Sequence, residues 1–178
     1  MPSIIIKRPL FTFLSTAKIS LGFDIRDSGS LLSRQGRHVF MIYTDLFNEF
    51  LLSENTLRIY DEDKLIFSSE RDRLLPLLEY LDTFSPLPEQ VVVFDKIVGN
   101  AAALLLVVAN CREVYSLLGS RLAIKTLDKY GIKYTFNETV DYIQQENKVD
   151  MCPMEQLSLD KTPEEFHRVM KDLIKQED

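Results

Sequence analysis

Val91-Val-Val-Phe94 is apolar at every position and runs directly into Asp95-Lys96, Gly99 and the small-residue stretch Ala101-Ala-Ala103. An unbroken apolar run of strand length is what a central strand requires when helices cover both faces of its sheet. The segment from Gly99 to about Asn110 reads as the helix that follows, so the stretch is a strand-turn-helix unit. In open α/β sheets, ligands bind outside the carboxyl ends of the strands, where a helix N-terminus carries partial positive charge. Asp95 and Lys96 stand at that point.

The flanking sequence supplies the rest of such a sheet. Thr56–Tyr60 and Lys64–Ser68 flank Asp61-Glu-Asp63 and predict a β-hairpin. Leu74–Phe84 predicts a helix that tolerates Pro76 in its first turn and turns Leu77, Leu78 and Leu81 inward. Arg112–Ser116 and Ile132–Phe136 predict two further strands, separated by a helix over Ser120–Tyr130 that Gly131 ends. Thr162-Pro-Glu-Glu165 combines an N-cap, a proline at the first helical position and a capping-box glutamate, and opens a terminal helix running to about Gln176. The order α-β-β-α-β-α-β-α-β-α predicts a three-layer α/β/α sandwich on a mixed sheet, with a hairpin at one side and parallel crossovers in the middle.

Residues 1–40 show no sustained hydrophobic period and end in the Ser/Gly/Arg-rich stretch from Asp27 to Arg37. They are expected to form a poorly ordered extension, either a genuine tail or an over-long start preceding Met41. The compact domain is expected over 41–178, opening with a short amphipathic helix capped by Thr44 and carrying Leu46, Phe47, Phe50 and Leu51. With 46% hydrophobic residues the chain can bury a proper core. The net charge of −6 argues against nucleic acid and membrane surfaces as partners, since both are bound through basic patches. Cys111 and Cys152 form no CxxC pair and read as reduced thiols of a cytoplasmic protein.

Four segments carry a family resemblance: Asp95-Lys-Ile-Val-Gly99, Ala101-Ala-Ala-Leu-Leu105, Tyr130-Gly-Ile132 and Cys152-Pro-Met-Glu155. In that order and spacing the chain resembles the domain of unknown function 1893 family over roughly Asn55 to Ile174. The resemblance implies a cytidine deaminase-like fold. It departs at Asn100, where the family often carries a lysine. Zinc deaminases of that fold need H-x-E on one helix and P-C-x-x-C at the start of the next. Here the corresponding segments read Asn100-Ala-Ala-Ala103 and Leu117-Leu-Gly-Ser-Arg121, and His38 and His167 lie outside both. No metal site or cofactor is therefore expected.

Chemistry, if there is any, falls to Asp95, Lys96, Cys152 and Glu155, with Gly99, Asn100, Ser116 and Ser120 as ligand-binding candidates. Adjacent strand residues face opposite ways, so only one of Asp95 and Lys96 can enter a cleft beside Gly99. The bland alternative is that Asp95 caps the helix and Lys96 is solvated. Gly99 and the alanines allow close approach of a ligand, or simply of helix to sheet. Cys152 is either a nucleophile activated by a helix N-terminus or a small buried hydrophobe. Glu155 is either a carboxylate beside that thiol or a helix-start acid. Ser116 and Ser120 either bind a ligand or serve as loop and N-cap serines. Two functions follow as expectations. One is a metal-free protein binding a nucleotide-like or small anionic ligand, with enzymatic activity left open. The other is a non-catalytic interaction module, compatible with a homo-oligomer.

Overall fold

The computed structural model describes residues 34–145 and 150–175, with side chains from residue 43 onward. The expected extension over 1–40 lies almost entirely outside the described residues. Eleven elements are described: α1 (Arg34–Leu52), β1 (Leu57–Asp61), β2 (Lys64–Ser69), α2 (Leu75–Thr83), β3 (Val91–Val98), α3 (Asn100–Val108), β4 (Cys111–Ser120), α4 (Arg121–Tyr130), β5 (Lys133–Val140), α5 (Pro153–Leu157) and α6 (Pro163–Ile174). The five strands form one mixed sheet in the order β2-β1-β3-β4-β5. β1 pairs antiparallel with β2 and β3, while β3, β4 and β5 run parallel.

The apolar run of β3 splits between the two faces, as a doubly covered strand must. Val91 and Val93 join Leu77, Leu105, Leu106, Leu127 and Phe166 in the core beneath α2, α3, α4 and α6. Val92 and Phe94 face the other way, into an aromatic cluster with Tyr43, Phe47 and Phe50 of α1 and with Tyr60 and Tyr115. Phe94 is its centre, with ring centroids 4.9 to 6.3 Å from those five partners. The Tyr43 hydroxyl also donates to the carbonyl of Glu62, tying α1 to the β1–β2 turn.

Two local expectations are met by the geometry they predicted. Gly131 ends α4 in the left-handed conformation at φ 71°, and Thr162 with Glu165 completes a reciprocal capping box at α6. Thr44 corrects a third: α1 already spans Arg34–Leu52, so this residue is interior to the helix and is not its N-cap. β3 also reaches further than expected, to Val98, so Asp95 and Lys96 lie within it rather than past its carboxyl end, and β4 and β5 extend to Ser120 and Val140. Gly119 allows this, because a Cβ there would overlap the Phe136 ring on the neighbouring strand.

Candidate functional site

The carboxyl ends of β3 and β4 bring the N-termini of α3 and α4 side by side, and one side chain closes both. Glu155, only 1% exposed, reaches across from α5. Its Oε2 accepts the Asn100 backbone N–H at 2.6 Å, and its Oε1 accepts the Ser120 hydroxyl at 2.7 Å and the Ile143 N–H at 3.4 Å. The first amide of α3 is left unpaired by helix geometry and carries the positive end of the dipole, so a carboxylate is a natural partner for it. Ser120 simultaneously caps α4 by accepting from the Ala123 N–H at 3.0 Å. Gly99 is required where it stands, since a Cβ would overlap Glu155 Oε2 and approach Ile143 Cγ1 to 2.9 Å.

Asn100 extends this network. Its Nδ2 donates to the Ser158 carbonyl at 3.2 Å and hydroxyl at 2.9 Å, its Oδ1 accepts from the Thr126 hydroxyl, and Ser158 Oγ donates to the Glu155 carbonyl at 2.6 Å. Ser158 and Thr126 were not legible in the sequence. Thr126 lies far from Asn100 along the chain, and only its position on α4, which packs against α3, brings the two together. Ser158 had a faint signal, being one helical turn after Glu155.

Asp95 and Lys96 do face opposite ways. The Lys96 ammonium donates to the Ser53 carbonyl at 3.0 Å and lies 5.9 Å over the Phe50 ring, on the α1 side. Asp95 is 9% exposed on the other face, where its Oδ1 accepts the Ile97 N–H at 3.0 Å. It does not cap α3, whose N-cap is Gly99. Among the described residues it forms no ion pair. Burial raises its pKa from 3.8 to about 7, against the opposing pull of the Ile97 and Lys96 amides. Ser116, fully buried, is its neighbour on β4 and donates to the Leu118 carbonyl at 3.0 Å.

Cys152 is half-buried at the N-cap of α5, and its thiol forms no hydrogen bond among the described residues. The Glu155 carboxylate makes its hydrogen bonds to Asn100, Ser120 and Ile143, and none to the thiol among the described residues. His167 lies on α6 in the field of Lys171 and Asp82, with Nε2 buried and without a hydrogen-bond partner among the described residues. Desolvation, then the Lys171 charge, holds its pKa below the usual histidine value.

A family model described as a domain of unknown function (DUF1893) matches residues 46–174, well over half of the chain. The chain belongs to the DUF1893 family. A DUF1893 family protein from Thermotoga maritima, solved by crystallography at 2.70 Å, is 26% identical; the match covers 83% of this chain and 96% of that one, with a TM-score of 0.66. No curated protein is similar. The DUF1893 match takes in every candidate residue from Asp95 to Glu155.

A cleft of about 690 Å³ opens at the opposite end of the parallel strands, among Asn110, Cys111, Arg112, Glu113 and Lys133. Another of about 360 Å³ lies beside α6 at Lys161, Glu165 and Arg168. Neither is lined by Asp95, Lys96, Cys152 or Glu155. Among the described residues no group of three or more His, Cys, Asp and Glu side chains is placed to hold a metal ion. No described helix is long and apolar enough to cross a membrane.

Proposed function

We propose that this DUF1893 chain is a ligand-binding protein of cytidine deaminase-like architecture that works without a metal, with Asp95 as the group that meets the ligand. The observation that carries the reading is Asp95 itself: a carboxyl buried inside the central strand, three residues before its end, with no ion pair among the described residues and with its pKa pushed up by burial to about 7. Burying an acid without a counter-charge is unfavourable, and such groups concentrate at functional sites. A carboxyl poised near pH 7 offers a donor and an acceptor together, which suits the edge of a nucleobase or amide. A nucleotide-like ligand is the class we favour.

The zinc chemistry of that architecture does not fit these residues. Between the N-termini of α3 and α4, where the zinc enzymes place ligands, stand Asn100 and Ser120, and the space between them holds the Glu155 carboxylate. No step through a metal follows. The two free thiols, Cys111 and Cys152, fit the reducing cytoplasm, which is where we place the protein.

The test is a thermal-shift screen of nucleosides, nucleotides and sugar phosphates at millimolar concentration on the wild type, Asp95→Ala and Lys96→Ala. Binding to the native state raises Tm by mass action. One ligand class should raise Tm in the wild type and in Lys96→Ala, whose side chain faces α1, but not in Asp95→Ala. A shift that survives in Asp95→Ala, or none in the wild type, defeats the proposal. The latter outcome favours the second reading, an interaction module. A specific observation supports that reading too: β5 is an edge strand, exposed from Asn137 to Val140, and such an edge can pair with another chain.

A further inference from the structure

Nothing in the proposed function accounts for a buried glutamate whose carboxylate joins three separate elements. α5 is five residues long, and its N-cap Cys152 makes no side-chain capping bond, so local helix propensity contributes little to holding it. Among the described residues, its polar attachments to α3 and α4 run through Glu155 and, just beyond the helix, through Ser158. Glu155 supplies two acceptor oxygens to three donors: the Asn100 amide, the Ser120 hydroxyl and the Ile143 amide. Gly99 leaves that carboxylate the room it needs and no more.

We infer that Glu155 is a carboxylate latch: it serves as an internal anion at the paired N-termini of α3 and α4, and by doing so clamps α5 and the Cys152 thiol against the domain. The inference is independent of any ligand at Asp95. A carboxylate suits these donors because both of its oxygens accept, whereas an amide presents one N–H end. Glutamine in its place would keep the shape while turning a donor towards a donor, leaving at least one buried group unsatisfied. Loss of the side chain would leave three donors around a carboxylate-sized space, so a small free carboxylate should substitute for the missing one.

Cys152 is the natural reporter, half-buried at the start of α5, and Cys111, buried in the core, is the internal control for global unfolding. The experiment is iodoacetamide labelling resolved by peptide, on the wild type, Glu155→Gln, Glu155→Ala and Gly99→Ala, each with sodium formate or with sodium chloride at equal ionic strength. Removing the latch should speed Cys152 labelling about tenfold in Glu155→Ala while Cys111 stays protected, because α5 then opens locally. Formate at about 0.1 M should restore much of the protection by binding the latched form, and chloride should not. Glu155→Gln should fall between the two and respond less to formate. Gly99→Ala evicts the carboxylate with Glu155 still present, so it should expose Cys152 without rescue by formate. If Glu155→Ala exposes both cysteines, Gly99→Ala decides: Cys152 still protected in that variant overturns the latch. So does equal recovery in formate and chloride.

Discussion

Asp95 is where burial and charge conflict most directly in this molecule. Desolvation raises its pKa from 3.8 to about 7, and the amides of Ile97 and Lys96 offset only part of that. An acid whose folded pKa lies above its unfolded value keeps its proton longer in the native state. Its contribution to stability is therefore complete below about pH 3.8 and is lost as pH rises towards 7. Above that range the native state holds a buried charge, at a cost of up to roughly 4 kcal/mol. Asp95→Asn keeps the acceptor for the Ile97 amide and removes the titration. It should be more stable than the wild type at pH 8, and the gap should shrink steadily towards pH 4.5 in urea denaturation. A gap independent of pH would show that Asp95 is not the group responsible. None of this was legible from the residue name. Sequence placed Asp95 at a strand end, but its exposure depends on Leu57 and Ser116 on the neighbouring strands.

Elements whose ends are set by local chemistry were the most legible. The Thr162 hydroxyl accepts the Glu165 amide at 3.2 Å and the Glu165 carboxylate accepts the Thr162 amide at 2.9 Å, so a four-residue pattern contains the whole start of α6. Thr162→Ala should lower stability by about 1 kcal/mol, read from the shift in denaturation midpoint at unchanged slope. A loss under a few tenths would mean that burial of Phe166 and Met170, rather than the cap, holds α6 in place. Elements whose ends depend on distant partners were less legible. Thr44 has the chemistry of a cap, yet the helix passes through it, because Tyr43, Phe47 and Phe50 need a continuous helical stripe to meet Phe94. β4 runs past Gly119, normally a weak strand residue, because the Phe136 ring occupies the space where its side chain would be. α5 was readable only as a turn at Pro153, and its meaning lies in what Glu155 reaches.

At the scale of the whole molecule, the sheet separates two cores of different character, an aliphatic one under α2, α3, α4 and α6 and an aromatic one under α1. Phe94 joins α1 to the sheet, touching the rings of Tyr43, Phe47, Phe50, Tyr60 and Tyr115. Phe94→Ala should cost about 3–5 kcal/mol in equilibrium denaturation, since a ring is removed from a closed aromatic cluster. A cost below about 1 kcal/mol would mean that α1 is not part of the cooperative unit. The amino-acid sequence by itself determined the strand-helix alternation, the central position of β3, the caps of α4 and α6, and the family. Each of these is written in hydrophobic period, turn chemistry or a short motif within a few neighbouring residues. Tertiary structure alone decided that Lys96 faces α1, that Asp95 is buried with no ion pair among the described residues, and that Glu155 occupies the anion position at α3 and α4. Those outcomes depend on which groups meet across gaps of tens of residues, and a carboxylate in a sequence carries no mark of the donors it will find.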